Sequence, residues 1–182
     1  DAVKLTVARI RNMVQDLLHY AKETDLNRER INASEFASDL AVVFEQKIRN
    51  QPIVFASDIA NALGEFEGDA GALSSALLNI LENAMDACSE DRSKESHKIL
   101  FMAKRTGEDI LFDVSDNGIG MGKEALDRLF TSSFSSKGRK GTGLGLFISH
   151  EIVRRHGGTI TVESSPSEGS HFCIRIPGSF RE

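Results

Sequence analysis

The sequence predicts an α+β fold: a two-layer sandwich with helices on one face of a mostly antiparallel mixed sheet, preceded by one long helix. Three observations lead there. Helical and strand stretches are mixed along the chain, without the regular alternation of βαβ winding. The stretch from 70 to about 90, "ALSSALLNILENAMDACSE" within it, is a long helix capped by Asp69. The tail, "GTITVES" and "SHFCIRIP" around the turn "SPSEG", is a closing hairpin.

The elements follow in order. Over residues 1 to about 24, Val3, Val7, Ile10, Val14, Leu17 and Ala21 step by four and three, the seam of a coiled coil or helical bundle. One helix cannot bury that seam alone, so a partner is expected, in a bundle shared with a second chain. From Leu26 the pattern changes. "RINASEF" gives a short strand followed by Ser34 as a helix N-cap, with the helix running to about Asn50. "PIVFASDI" is a strand after Pro52, and "GEFEGD" a shorter one. After the long helix come strands at about 98–105 and 109–115, and a short helix near 123–129. A Ser-, Gly- and Lys-rich irregular stretch covers 131–142, and another helix 143–156.

Composition narrows the function. The chain has 182 residues, is 40% hydrophobic and carries a net charge of −5 without a large basic block. That argues against nucleic acid held by bulk electrostatics. The two cysteines, Cys88 and Cys173, lack metal-ligand spacing and read as reduced thiols of a cytoplasmic protein. No apolar run approaches the roughly 20 residues of a membrane helix and no signal-peptide pattern is present, so this piece is expected to make no membrane contact. It opens inside a helical pattern at Asp1 without an initiator Met, as a fragment of a longer protein would.

Three boxes carry chemistry. In "NILENAMDA", Asn79, Asn83 and Asp86 are spaced i, i+4, i+7 and share one helix face amid apolar neighbours. Polar groups near a core face need partners, and an amide carbonyl suits Mg²⁺. In "DNGIGMG", Asp116 ends a strand and Gly118 and Gly120 follow. A carboxylate there can accept from an exocyclic amino group while bare glycines admit a flat ring. In "GTGLGLFISHEIVRRHGG", Gly141, Gly143 and Gly145 open a helix whose N-terminus suits phosphate, with Lys137, Arg139 and Lys140 just upstream.

Neither glycine box is a P-loop, since no glycine precedes Lys and then Ser or Thr, and neither has the strand–helix–strand setting of a dinucleotide fingerprint. "DVSDNGIGMGKE" puts Asp113, Ser115, Asn117, Gly118 and Glu124 at calcium-loop positions. A strand precedes it where that loop needs a helix.

Together and in this order the boxes resemble the ATP-binding catalytic domain of two-component sensor histidine kinases, within the gyrase, heat-shock chaperone, MutL and histidine kinase superfamily (the Bergerat fold). The likeness runs from about residue 30 to 178. "LFTSSFSSKGRKGTGLGL" is similar to the family's phenylalanine box, lid and second glycine box. "RIRNMVQDLLHYAK" is similar to the second helix of the dimerisation and phosphoacceptor hairpin. The resemblance divides the chain into that helix, 1–26, and a catalytic domain, 27–182.

The resemblance implies ATP and Mg²⁺ as cofactors. It implies that Asn83 ligates Mg²⁺, that Asn79 contacts phosphate or metal-bound water, and that Asp116 reads the adenine amino group. Gly118, Gly120 and Met121 would line the base, and Ser170 would hold a water beside Asp116. Lys137 would reach the terminal phosphate while Gly141, Thr142, Gly143, Leu144, Gly145 and Leu146 surround the phosphates. Phe130 and Phe134 would anchor the lid. Asp86 belongs to the nucleotide site by position, but many family members carry a basic residue there. The family's acceptor motif, a His, an acidic residue and a Pro a few residues on, has no match. His19, His97, His156 and His171 lack that setting, and His150 reads as a surface helix residue.

The implied function is phosphoryl transfer from ATP to a histidine absent from this stretch, then to a response-regulator aspartate, in a protein that dimerises through its N-terminal bundle. Alternatives are an ATPase clamp of the gyrase or MutL type, an anti-sigma type serine kinase, and a calcium module. The clamps carry a Glu base where this chain has Asn79. An amide cannot serve as that base, and Glu82 lies about 100° away from Asn83's direction.

Overall fold

A computed structural model describes residues 26–131 and 144–178. The expected N-terminal helix, the irregular stretch and the calls on Phe134, Lys137, Arg139, Lys140, Gly141, Thr142 and Gly143 lie outside the described residues. The elements are β1 (Glu29–Asn32), α1 (Ala33–Ile48), β2 (Ile53–Ile59), β3 (Glu65–Gly68), α2 (Ala70–Glu90), β4 (His97–Thr106), β5 (Asp109–Asp116), α3 (Lys123–Asp127), α4 (Gly145–Arg155), β6 (Thr159–Ser165) and β7 (Gly169–Pro177).

Five strands form one sheet in the order β2-β4-β5-β7-β6, and β1 pairs with β3 in a separate antiparallel ribbon. Within the large sheet only β2–β4 is parallel. A parallel pair needs a crossover, and β3 with α2 supplies it. The expected fold class holds, with that one crossover.

The sheet alternates as half-buried strands do. Ile110, Phe112, Val114 and Asp116 of β5 face the helices and are buried. They meet Leu73, Leu77, Ile80, Leu81 and Ala84 of α2, which recur at three and four residues along one helix face. Phe112 is the aromatic hub. Phe36 of α1 and Phe66 of β3 pack edge-on to it at 5.8 and 6.3 Å, and Phe101 of β4 stacks parallel at 6.4 Å.

The two long helices start at side-chain caps, with one correction. Asp69 caps α2 as expected, its Oδ1 accepting from Ala72 N at 2.9 Å. The cap of α1 is Asn32, not Ser34: its Oδ1 accepts from Ser34 N and Glu35 N at 3.1 and 3.2 Å. Asn and Ser are comparable caps, and Ser34 has another use. Its hydroxyl donates to Ala60 O and accepts from Leu63 N, tying the β2–β3 loop to α1.

Candidate nucleotide site

The α2 helix, the end of β5, the segment from 119 to 129, α4 and β7 enclose a cavity of about 180 Å³. Asn83, Ala84 and Ala87 of α2 form one wall. Asp116 forms the floor with Ser170 and Phe172 of β7. Ile119, Gly120, Met121, Leu129 and Leu146 close the sides. Of the residues expected at the site, Asn83, Asp116, Gly120, Met121, Leu146 and Ser170 share this cavity. Asn79, Asp86, Gly118, Phe130, Leu144 and Gly145 are not in its wall.

Asp116 is 9% exposed. Burial pushes its carboxyl up to about 6, opposed by backbone N–H groups of Gly118 and Ser170 and by the Lys94 charge. The Gly118 N–H donates to Asp116 Oδ1 at 2.8 Å. Asp116 is thus fixed with a carboxylate facing a mostly apolar cavity that also holds Asn83, Glu90 and Ser170.

Gly118 and Gly120 of the turn after β5 are small for a reason the sequence did not disclose. A Cβ on Gly118 would stand 2.4 Å from the Ala87 carbonyl carbon, and one on Gly120 1.9 Å from Ser165 O. Gly120 also has φ +63°, which side chains disfavour. Neighbouring backbone therefore demands both glycines, and the thinness offered to a ligand is shared with the fold. Ile119 N donates to Ala87 O at 3.2 Å, completing the seat of the turn on α2.

Two residues not expected at the nucleotide site hold this turn. Asn117 Oδ1 accepts from Lys98 N at 2.7 Å, and its Nδ2 donates to Ser96 O at 3.2 Å, closing the end of β5 on the start of β4. Lys94 Nζ donates to Asn117 O at 2.6 Å and Gly118 O at 3.2 Å and pairs with Asp91 Oδ2 at 3.1 Å. Asn is a common turn residue, which is the one local signal for Asn117; no local signal marked Lys94, whose contacts cross 23 residues of chain.

At the other end, Asn83 Nδ2 donates to Asn79 O at 2.8 Å, so the amide nitrogen is held by the backbone one turn back. Asn79 Nδ2 donates to Ser149 Oγ of α4 at 3.0 Å. Gly145 begins α4 beside this amide: a Cβ there would lie 2.5 Å from Asn79 Oδ1. Among the described residues no side chain makes a cap hydrogen bond to α4. A helix start next to two amides is a phosphate-compatible arrangement. The donors fit a hydrated Mg²⁺, which takes one or two protein oxygens and shares phosphate oxygens. Among the described residues no cluster of three His, Cys, Asp or Glu offers a fully protein-ligated metal site.

Other expectations resolve as follows. Phe130 stacks on His150 of α4 with centroids 4.9 Å apart, so His150 carries a ring partner on that surface. Asp113, the first residue of the suspected calcium loop, lies on the sheet face away from Asp116. It pairs with Lys104 at 2.9 Å and with His171 at 3.0 Å, and the loop's ligand set is not assembled. Glu82 is paired with Lys47 of α1. Both cysteines are free thiols, with burial pushing Cys88 up to about 12 and Cys173 up to about 11. Among the described residues no helix is long and apolar enough to cross a membrane.

The profile of the family described as histidine kinase-, DNA gyrase B- and HSP90-like ATPase matches residues 68–179. The sensor histidine kinase ZraS of Escherichia coli (strain K12) is 31% identical over 170 residues, 93% of this chain and 35% of ZraS. Nitrogen regulation protein NtrY of Azorhizobium caulinodans is 32% identical over 178 residues, 97% of this chain and 22% of NtrY. The chain thus spans about a third or less of the length of these relatives. Among solved structures, a nucleotide-free catalytic domain of histidine kinase ThkA superposes with a TM-score of 0.73 at 28% identity, covering 85% of this chain and 100% of that one. ThkA in complex with response regulator protein TrrA gives 0.78 at 26% identity, covering 97% of this chain and 49% of that one. The chain therefore belongs to the histidine kinase-, DNA gyrase B- and HSP90-like ATPase family, and it is similar to the catalytic domains of sensor histidine kinases.

Proposed function

We propose that this domain binds Mg·ATP in the cavity beside α2 and delivers the γ-phosphoryl group to a histidine on a dimerisation helix. From there the group passes to an aspartate of a response-regulator receiver domain. The observation that carries the reading is one cavity with a buried carboxylate at its floor and the Asn83 amide in its wall. Asp116 accepts from the adenine amino group, Ser170 holds a water beside it, and Gly120, Met121 and Leu146 flank the base. Asn83 presents its amide oxygen to Mg²⁺, and the first turn of α4 with Gly145 faces the phosphates. Mg²⁺, when bound, neutralises phosphate charge and holds the chain of phosphates in place. Lys137 reaches the terminal phosphate, and Phe130 and Phe134 anchor the segment between the two boxes.

Phosphoryl transfer of this kind needs positioning and charge neutralisation more than a nucleophile on the domain itself. The site fits that demand. Asn79 offers no base for water, and Glu82 is engaged with Lys47, which disfavours the hydrolytic clamp. ThkA, whose catalytic domain this chain resembles, is known in complex with a response regulator. Residues 1–26 are assigned as the second helix of the dimerisation hairpin and 27–182 as the catalytic domain, in a homodimeric protein with this part in the cytoplasm.

The test is incubation of the full-length protein carrying this domain with γ-labelled ATP. The reading expects an acid-labile, alkali-stable label on the protein that vanishes in Asn83→Ala. Acid-stable label, or phosphate release with no labelled protein, contradicts it. The 182-residue chain alone is expected to bind Mg·ATP and remain unlabelled.

A further inference from the structure

The α4 helix has two buried residues, Ser149 and Val153, one turn apart and both facing α2. Val153 is what an apolar helix interface calls for. Ser149 is not: it is 1% exposed, and a buried hydroxyl costs free energy unless it is hydrogen-bonded. An alanine would fill nearly the same space without that cost. The hydroxyl's contacts explain its presence. It lies 3.0 Å from Gly145 O, 3.3 Å from Ala76 O and 3.0 Å from Asn79 Nδ2.

These three contacts favour one orientation of Asn79. A hydroxyl carries one proton, and both carbonyls can only accept. With the amide turned as it is, Ser149 donates to a carbonyl and accepts from Asn79 Nδ2; with the amide reversed, three acceptors would compete for that one proton. The observed orientation places Oδ1 on the Gly145 side, where any side chain would intrude at 2.5 Å. Ser149 and Gly145, one turn apart on α4, make a slot that favours the amide in this orientation. One turn along α2, Asn83 has its own nitrogen held by Asn79 O at 2.8 Å. Both amides thus have their nitrogens held by protein, and an amide so held meets a cation or its waters with oxygen.

We infer that Ser149 is a positioning residue for Asn79, setting it to act through its carbonyl on the hydration shell of Mg²⁺ and not through its NH₂ on phosphate. The inference rests on the Mg·ATP reading above and decides between two roles left open for Asn79.

The test is calorimetric titration of the 182-residue chain with a non-hydrolysable ATP analogue, over a series of Mg²⁺ concentrations and in EDTA. Ser149→Ala, Asn79→Ala and the double variant are compared with the parent sequence. Loss of one hydrogen bond predicts a rise of about three- to tenfold in the half-saturating Mg²⁺ concentration for Ser149→Ala. Affinity in EDTA stays within about twofold, and in the Asn79→Ala background the serine substitution adds nothing further. A merely structural role would lower affinity equally with and without metal and would persist in the double variant; either result overturns the inference. An effect of Asn79→Ala with none from Ser149→Ala overturns it while leaving the site reading intact. An Asn79→Ala chain with unaltered Mg²⁺ dependence removes the residue through which Ser149 would act and sinks both.

Discussion

The C-terminal end and the middle of α2 are set beside the cavity by different means. At the C-terminal end, near Ala87, the turn 116–120 is pressed onto helix and hairpin backbone, and its shape is set by groups no substitution can remove. At the middle of the helix, Asn79 and Asn83 are set by side-chain hydrogen bonds to one hydroxyl and one carbonyl. Backbone contacts make the Asp116–Gly120 turn intolerant of added atoms. Side-chain contacts leave the Asn79–Asn83 region tolerant in fold, and on the proposed reading sensitive in function. Steric and electrostatic changes should therefore separate: the first should unfold the protein, the second should alter what it binds.

The largest effect is expected at Gly120. Gly120→Ala adds a Cβ where Ser165 O stands 1.9 Å away, at φ +63°. Overpacking and strain together predict a loss of about 2–5 kcal/mol. Gly107 is the control, with the same φ of +63° and nothing within 4 Å. Gly107→Ala should cost only the backbone term, about 1 kcal/mol. Urea denaturation of both variants separates the two; equal losses would mean that close backbone contact does not shape the adenine end.

Next comes the pH dependence of Asp116. Burial raises its folded value from 3.8 to about 6. A raised folded value contributes stability that is complete below the unfolded value and lost as pH rises through about 6. Without nucleotide, the ionised carboxylate thus costs the fold up to about 3 kcal/mol at neutral pH. Asp116→Asn should melt higher than the parent at pH 7, with the gap closing between about pH 6 and 4. Comparing the two chains cancels the opposite contributions of Asp91 and Asp113, whose carboxyls are held below their ordinary value. A gap independent of pH would contradict the buried, ionised carboxylate.

The smallest effect tests the support of the turn. Lys94→Met removes the donor to Asn117 O and Gly118 O while keeping the stem. Lys94 is 29% exposed, so the expected loss is modest, about 1 kcal/mol of stability and a few-fold in ADP affinity. Thermal melts with and without ADP check both.

This contrast also explains what the sequence made legible. The long helix, its Asp69 cap and the closing hairpin follow from local pattern, and all three stand as expected. Asp116 was marked by its place at the end of an apolar strand before a glycine turn. Ser34 matches the cap chemistry, but Asn32 two residues before it matches as well, and only the β2–β3 loop decides between them. Gly118 was legible as a glycine and illegible as to cause, since Ala87 lies 31 residues away in the chain. Ser149, Lys94 and Lys104 act across strands and helices, and no spacing rule reaches them.

The central claim is that adenine lies against Asp116. It is tested most directly by calorimetric titration of the 182-residue chain with Mg·ADP and with Mg·GDP, repeated on Asp116→Asn. ADP should bind the parent chain tightly and GDP weakly, because guanine offers a carbonyl where adenine offers its amino group. Asp116→Asn should lose about 10- to 100-fold of the ADP affinity. Equal affinity for the two nucleotides, or an unchanged response in Asp116→Asn, would contradict the account.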